Sequence, residues 1–378
     1  IPPMPAESFV TIASVNIESG EVEKETIAGS AQNVYVSQQN TYIAATIWTP
    51  PATPVVGGVE RAMVGDAEKT VVNKFGLNSG RIGFVGQGSV PGHVLNQFSM
   101  DEFEGHLRIA TTAGQVSRLG SQSSNNLYVL DREMNTIGRL EGLAPGEKIY
   151  SARFMGKKAY MVTFKKVDPL FVIDVSEPTN PRVLGKLKIP GYSDYLHPID
   201  ETHLIGIGKE TIEAAKGDFA WYQGLKMAIF DVSDVENPVE MHKIVIGDRG
   251  TESYALHDHK AFLYDKEKEL LVLPVTLAEI PKEMKQHLGE EEAFPSYGEF
   301  TFQGAFVFRL TLENGFEERG RITHVGEEDE LKRGYYFGDD YSITRSLYIG
   351  NVLYTLSERM LKANALDTLQ ELKEFAFE

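Results

Sequence analysis

The sequence of 378 residues contains no cysteine, so disulfide bonds and thiolate chemistry are excluded. It has no run of 18 apolar residues, and we therefore expect no membrane span in this chain. Basic residues are outnumbered, with 37 Lys and Arg against 54 Asp and Glu, which gives a formal net charge of −17. Such a charge opposes binding to nucleic acid or to an anionic membrane, and neither is expected as a partner.

Two familiar catalytic patterns are also missing, GxSxG and HExxH. Acidic runs at 290–292, 327–330 and 339–340 carry ligands that suit Ca²⁺, but none has the fixed spacing of an EF-hand loop. Solvated surface charge is the simpler interpretation of these runs, and no cofactor is expected. The sequence therefore favours a non-catalytic protein over an enzyme.

What the sequence does contain is a repeat. PLFVIDVSEPTNPRVLGKLKIPG at 169–191 is followed by LKMAIFDVSDVENPVEMHKIVIGD at 225–248, so that DVS and NP recur at an offset of 57. In each copy an apolar β-branched run predicts a strand, Ser, Asn and Pro predict a turn, and an alternating run predicts a second strand. A further hairpin lies between the copies at 192–208. One unit is therefore four antiparallel strands, which we name a, b, c and d.

Four-stranded units repeated every 40 to 60 residues or so are typical of propeller blades. The fold class is all-β, a β-propeller with six full blades at 31–378 and a leading c–d half-blade at 1–28. The chain is expected to be a single domain over 1–378 and a piece of a longer protein, since it begins Ile-Pro-Pro-Met-Pro. The half-blade is either an incomplete seventh blade, our preferred count, or part of a larger ring completed by upstream residues.

The long insertions are predicted at 48–69, 209–224, 276–303 and 325–342, all of them b–c or d–a connections, which share one face of a propeller. Aromatic residues on these insertions suit recognition of a partner, although they also suit capping of the ring. The binding-face candidates are Trp221, Tyr222, Tyr297, Tyr335 and Tyr336. A short helix is expected to begin at Pro281.

Strand a of each blade lines the central channel, where polar groups suit an anion or small molecule, or simply internal ion pairs. The channel-lining candidates are Arg153, His197, Lys260 and Arg345. If their segment is extended, His257 and His259 place two imidazoles on one side of it, a pattern that suits a metal ion as well as an ordinary surface pair.

The segments 151–200, 246–250 (IGDRG), 258–263 (DHKAFL), 314–324 (NGFEERGRITH) and 345–355 (RSLYIGNVLYT) resemble the β-propeller-domain family of secreted archaeal and bacterial proteins distantly related to WD-40 repeats. The resemblance extends over nearly the whole chain. It implies a propeller and an extracellular or cell-surface location, and it supplies no catalytic residues.

The first functional hypothesis is a binding scaffold that recognises a protein, small-molecule or glycan ligand through its b–c/d–a face. The alternative is a hydrolase or lyase at the channel mouth that uses groups such as Arg153, His197, His259 and Arg345. A third hypothesis is a structural domain that serves an upstream segment. An exposed aromatic patch favours the first, and an acid, a base and a cation within hydrogen-bond reach favour the second.

Overall fold

The computed structural model describes residues 8–48, 55–56, 59–60, 68–78, 81–115, 123–164, 168–213, 220–285, 296–326 and 339–377. Strands make up most of this part of the chain. The chain divides into two compact units, of which unit 1 comprises residues 1–163 and 171–184, and unit 2 comprises residues 164–170 and 185–378. No helix in the described ranges has the length and apolar character needed to cross a membrane.

The first twelve strands belong to unit 1. They are β1 (Phe9–Val15), β2 (Val22–Ala28), β3 (Asn33–Val36), β4 (Asn40–Trp48), β5 (Val55–Val56), β6 (Val59–Glu60), β7 (Glu68–Asn78), β8 (Arg81–Pro91), β9 (Met100–Phe103), β10 (His106–Ala113), β11 (Ser124–Leu130) and β12 (Thr136–Leu143). Strands β1 and β2 form a hairpin, β3-β4-β7-β8 form sheet 1, and β9 to β12 form sheet 2 in sequence order. Strands β5 and β6 pair separately inside the b–c connection of sheet 1.

Sheet 3 follows with β13 (Lys148–Met155), β14 (Lys158–Phe164), β15 (Asp168–Asp174) and β16 (Arg182–Ile189). The remaining strands belong to unit 2 and form sheets 4, 5 and 6, four in each. They are β17 (Tyr192–Pro198), β18 (His203–Glu213), β19 (Ala220–Asp231), β20 (Val239–Ile246), β21 (Leu263–Asp265), β22 (Leu270–Glu279), β23 (Glu299–Thr311), β24 (Gly315–Ile322), β25 (Arg345–Ile349), β26 (Val352–Leu356), β27 (Met360–Ala365) and β28 (Glu371–Ala376).

The six four-stranded antiparallel sheets and the leading hairpin confirm the strand order predicted from the repeat. The hairpin packs on one face of sheet 1, where Val10, Ile12 and Ile27 contact a core of Ile43, Phe75 and Ile82. The opposite face of sheet 1 packs on sheet 2. The hairpin therefore occupies the place of the c and d strands of a preceding blade.

The core of each unit lies between the faces of consecutive sheets. In unit 1, Tyr42 and Val72 of sheet 1 share a buried cluster with Leu107 and Tyr128 of sheet 2. In unit 2, sheets 5 and 6 share a cluster that includes Val272, Val307 and Leu353. Alternation along each strand supplies one side chain in two to each face, which is why both faces of the middle strands are apolar.

The two copies of the repeat form the same turn. Asp174 accepts a hydrogen bond from the Ser176 N–H at 3.0 Å, and Asp231 accepts one from the Ser233 N–H at 2.8 Å. A short polar side chain that bonds the backbone two residues on fixes the start of a turn, so the shared DVS sequence specifies shared geometry.

Each of these turns packs against a glycine on strand d of the preceding sheet. A Cβ on Gly138 of β12 would lie 2.0 Å from the carbonyl oxygen of Pro178 in unit 1. A Cβ on Gly185 would lie 2.1 Å from the carbonyl oxygen of Val235 in unit 2. No other residue permits so close an approach of two backbones, which couples the repeat to the packing of neighbouring sheets.

Two predicted insertions are shorter than expected because the strands continue into them. Thr211 and Ile212 of β18 pair with Tyr222 and Trp221 of β19, and β22 and β23 continue to the pair Glu279–Glu299. β-branched and aromatic side chains favour a pleated ribbon, which explains the extension. The predicted helix at Pro281 is confirmed over its described residues, 282–285, where the Lys285 N–H donates to the Pro281 carbonyl at 3.1 Å.

Candidate functional site

The ribbons of sheets 4 and 5 hold a d–a segment, residues 247–253, that carries the IGDRG motif. The Asp248 N–H donates to the Ala278 carbonyl at 2.7 Å, and the Gly298 N–H donates to the Arg249 carbonyl at 2.8 Å. A Cβ on Gly250 would lie 3.4 Å from the Tyr297 ring, so this glycine keeps the segment close to the ring. The backbone around Arg249 is therefore fixed on both sides.

The Asp248 carboxylate adds a second anchor. It accepts the Ile280 N–H at 2.8 Å and the Lys285 ammonium at 2.7 Å, and so ties the segment to the helical turn at 282–285. Each strand order a-b-c-d places b–c and d–a connections at the same end of its own sheet. The segment, the two ribbons and the helical turn together build one surface at that end.

Arg249 lies between two aromatic rings on this surface. Its guanidinium carbon is 4.8 Å from the Trp221 ring centroid and 4.2 Å from the Tyr297 ring centroid, and its Nη2 donates to the Tyr297 hydroxyl at 3.2 Å. Tyr297 is 67% exposed. A cation placed on exposed ring faces contributes about 0.5–1 kcal/mol per ring. We call Trp221, Arg249 and Tyr297 the aromatic–arginine cluster.

The structure thus brings together two of the five binding-face candidates, Trp221 and Tyr297. Tyr222 follows Trp221 on β19 and packs elsewhere, 5.4 Å from the Tyr192 ring and 6.2 Å from the Phe164 ring, while remaining 44% exposed. Tyr335 and Tyr336 lie outside the described residues. The prediction that they contribute to the same face stays a prediction.

His197 lies on strand a of sheet 4 among aromatic rings. Its Nδ1 is 3.0 Å from the Tyr195 hydroxyl, and its ring is 5.0 Å from Phe262 and 5.4 Å from Tyr264. Burial, with smaller contributions from nearby carboxylates, raises the pKa of Tyr264 to about 12, so its phenol stays protonated near neutral pH. His197 is therefore packed among the aromatic rings of Tyr195, Phe262 and Tyr264.

Arg345, on strand a of sheet 6, forms an ion pair with Asp258 at 2.5 Å. Burial acts to raise the pKa of Asp258, but hydrogen bonds from the Lys260 N–H and the Arg345 guanidinium hold it below its usual value. The Asp258 carboxylate is therefore ionised near neutral pH and bound to Arg345, so it does not serve as a proton donor there. This geometry gives the hydrolase or lyase alternative no specific support.

Arg153 lies on strand a of sheet 3, in unit 1. Its guanidinium carbon is 4.8 Å from the Phe98 ring centroid, and it lines a cavity of about 450 Å³ with strand-a residues of sheets 1 and 2, including Tyr35 and Asp101. The structure confirms that Arg153, His197 and Arg345 are on a strands. Whether they line a channel stays a prediction.

Two assumptions about the 253–262 segment were wrong. Lys260 is not on a strand, and His257 and His259 are not on an extended segment, because 3₁₀ turns form at Tyr254–Leu256 and His259–Ala261. The side chains of Ser253 and Asp258 accept backbone N–H groups two residues on and so close these turns, as short polar side chains often do. Lys260 is exposed, and His259 packs 6.3 Å from the Tyr195 ring.

No group of three His, Cys, Asp or Glu side chains within the described ranges is placed to hold a metal ion. The acidic runs at 290–292 and 327–330 lie outside those ranges. In the third run, Asp340 pairs with Arg359 at 3.0 Å.

Sequence reasoning missed Arg249 as a site residue. The signal was present in the motif IGDRG, where two glycines flank Asp248 and Arg249 and indicate a backbone conformation that favours glycine. Gly247 and Gly250 have φ values of 65° and 107°, which favour glycine. An arginine held between two such glycines in a connecting segment is placed by the backbone, and that placement is a reason to consider it for binding.

The model of the family described as "Beta propeller domain" matches residues 1–369. The chain belongs to this family, and its fold is a β-propeller, in which the described residues form six four-stranded blades and a leading two-stranded hairpin.

Two archaeal relatives are similar in sequence and are both described as uncharacterized proteins. One, from Methanocaldococcus jannaschii, is 38% identical over 311 residues, which cover 82% of this chain and 41% of the relative. The other, from Archaeoglobus fulgidus, is 39% identical over 209 residues, which cover 55% of this chain and 30% of the relative. The chain therefore matches less than half the length of these relatives.

Among solved structures, the chain is similar to the C-terminal WD40 domain of Sif2, with a TM-score of 0.41 and 8% identity over 92% of this chain and 73% of that one. It is also similar to the periplasmic gluconolactonase PpgL of Pseudomonas aeruginosa, with a TM-score of 0.45 and 11% identity over 96% and 90% of the two chains. Likenesses this distant carry no argument about activity.

Proposed function

We propose that this chain is a non-catalytic binding module that recognises a protein partner through the b–c/d–a end of sheets 4 and 5. The observation that supports the proposal most is the aromatic–arginine cluster. Trp, Tyr and Arg are the residue types that contribute most binding energy in protein interfaces, and here all three meet in one cluster, in which Tyr297 is exposed and Trp221 and Arg249 are half-buried.

The cluster is ordered before any partner arrives. Arg249 is fixed through its backbone by Gly298, and its side chain is held between Trp221 and Tyr297. Rotamer freedom that is already lost in the free protein does not oppose binding a second time, so a preorganised cluster binds more tightly than a mobile one. The tie of Asp248 to Lys285 extends this order to the edge of the surface.

The protein is proposed to act outside the cell or at the cell surface. This part of the proposal depends on the resemblance to secreted proteins. Protease treatment of intact cells tests it, because an external protein is digested without lysis. If digestion requires lysis, the location is wrong, and the partner is then captured from a whole-cell extract with the same variants.

The binding proposal is tested by affinity capture from the native cell envelope with three forms of the chain. These are the wild type, the double variant Trp221→Ala with Tyr297→Ala, and the control Phe84→Ala, which removes an exposed aromatic ring from sheet 1 in unit 1. A partner that is retained by wild type and control and lost by the double variant supports the proposal. Equal retention of every captured protein by all three forms contradicts it.

A further inference from the structure

A second surface, in unit 1, contains an open cleft of about 1350 Å³. It lies at the end of sheets 1 and 2 where the a–b and c–d turns are short, and these turns form its walls. The a–b turn of sheet 1 contributes Ser37 to Asn40, the a–b turn of sheet 2 contributes Glu104 and Gly105, and the c–d turn of sheet 2 contributes Arg132 and Glu133.

The first wall is rigid. Ser37 Oγ accepts the N–H groups of Gln39 and Asn40 at 3.1 and 2.9 Å, and the Leu77 N–H donates to the Gln39 carbonyl at 2.7 Å. Glu102 of β9 also stabilises this turn. Its carboxylate accepts hydrogen bonds from Ser37 Oγ–H at 2.5 Å and from the side-chain amide of Asn40 at 2.8 and 3.0 Å. The side-chain amides of Gln38 and Gln39 extend from a fixed backbone.

The second wall contains a residue that the turn does not require. Glu104 and Gly105 have φ values of 52° and 81° and connect β9 to β10 in a two-residue hairpin. Asn or Asp is preferred at the first of these positions, and glutamate is disfavoured in the left-handed region. Arg132 packs over Gly105, where a Cβ would lie 2.8 Å from its Nε. The turn thus brings the Arg132 guanidinium against Gly105, in a cleft that the Glu104 side chain also lines.

These side chains are available to a ligand. Within the described ranges, Gln38, Gln39, Glu104, Arg132 and Glu133 form no side-chain hydrogen bond or ion pair. Arg132 forms no ion pair within the described residues, although Glu102, Glu104 and Glu133 all line the same cleft. Lys74 also lines the cleft, but its ammonium is already hydrogen-bonded, because it donates to the Arg132 carbonyl at 3.2 Å.

We infer that this cleft binds a neutral oligosaccharide. Amides, carboxylates and a guanidinium line it, and a hydroxyl group suits all three because its single oxygen both donates to carboxylates and accepts from amides and guanidinium. Val36 and Val85, 57% and 53% exposed, supply apolar contact for the C–H faces of a sugar ring. Glu104 and Glu133 repel a phosphate, and Arg132 repels a basic peptide, so the mixed charge selects an uncharged ligand.

The test is isothermal titration with four neutral tetrasaccharides, namely cellotetraose, maltotetraose, mannotetraose and chitotetraose, with tetralysine as a charged comparison. The variants are Gln38→Ala with Gln39→Ala, and Arg132→Ala. Gln370→Ala is the matched control, since it removes an exposed glutamine from unit 2. Circular dichroism establishes that each variant is folded.

We expect at least one tetrasaccharide to bind the wild type and the control with a Kd of about 1 mM or tighter, and the cleft variants to weaken it by at least about tenfold. Absence of binding by every tetrasaccharide overturns the inference. It is also overturned if the cleft variants bind as the wild type does, or if tetralysine binds the cleft and the sugars do not. None of these outcomes bears on the aromatic–arginine cluster, which is in unit 2.

Discussion

Acid is predicted to destabilise unit 2 through one buried histidine. His324 is 4% exposed and lies between two hydroxyl groups, with Nδ1 2.9 Å from Ser357 Oγ and Nε2 2.8 Å from Thr355 Oγ1. Burial, with a smaller contribution from the charge of Lys362, lowers the pKa of His324 to about 4. The unfolded chain has no such environment, and there the imidazole titrates near its ordinary value of about 6.5.

The unfolded state therefore takes up a proton between pH 6.5 and pH 4 that the folded state does not accept. Full stability is present above pH 6.5, falls as the pH drops through this window, and is constant with respect to this group below pH 4. From the two pKa values, the free energy of unfolding decreases by about 2 kcal/mol between pH 7 and pH 5, and by about 3 kcal/mol over the whole window. Such a loss is a large part of a typical folding free energy of about 5–15 kcal/mol.

The assay uses the two tryptophans. Trp48 belongs to unit 1 and Trp221 to unit 2, so Trp48→Phe leaves one indole that reports the urea unfolding of unit 2. In that background His324→Gln keeps a donor and an acceptor for the two hydroxyls but does not titrate. We expect the variant to lose about 2 kcal/mol less than its parent between pH 7 and pH 5. Equal losses in parent and variant refute the assignment, because the carboxylates contribute equally to both.

Three further predictions concern packing. Gly185→Ala is expected to destabilise unit 2 by about 1–3 kcal/mol through overpacking, whereas Gly83→Ala, whose Cβ meets nothing within 4 Å, is expected to be neutral in a urea titration. Arg108 is buried and forms an ion pair with Asp101, so Asp101→Asn leaves its charge unpaired and is expected to cost about 3–5 kcal/mol. Adding Arg108→Met is expected to recover most of this loss in calorimetry, and no recovery would show that the pair is not the cause. Arg249→Ala is expected to cost about 1 kcal/mol and to change the fluorescence of the neighbouring indole, and an unchanged spectrum would contradict the stacking.

The repeated turns carried the fold prediction. DVSEPTNP and DVSDVENP encode the same local hydrogen bonds, so the strand order a-b-c-d could be derived from sequence and extended to the less similar blades. The same reasoning predicted the leading hairpin, since β1 and β2 have strand and turn patterns of their own. These features are local, and local chemistry is what a single sequence records best.

The site was harder to predict because its geometry is not local. Arg249 meets Trp221 and Tyr297 only after two ribbons extend and a d–a segment is held between them. The composition of the 209–224 segment indicated a loop, but cross-strand pairing of Ile212 with Trp221 extends the sheet, and such pairing depends on the partner strand. At His257 and His259, capping by neighbouring polar side chains overrides the extended pattern.

Hydroxyl-radical footprinting of the chain, free and in complex with the partner captured from the cell envelope, tests the central claim most directly. Oxidation of exposed aromatic side chains is read by mass spectrometry, with Phe9 and Phe84 of unit 1, 72% and 52% exposed, as internal references. We predict that the partner protects Trp221 and Tyr297 and leaves both references unchanged. Protection of the references, with Trp221 and Tyr297 oxidised as in the free chain, would contradict the claim that this surface is the binding site.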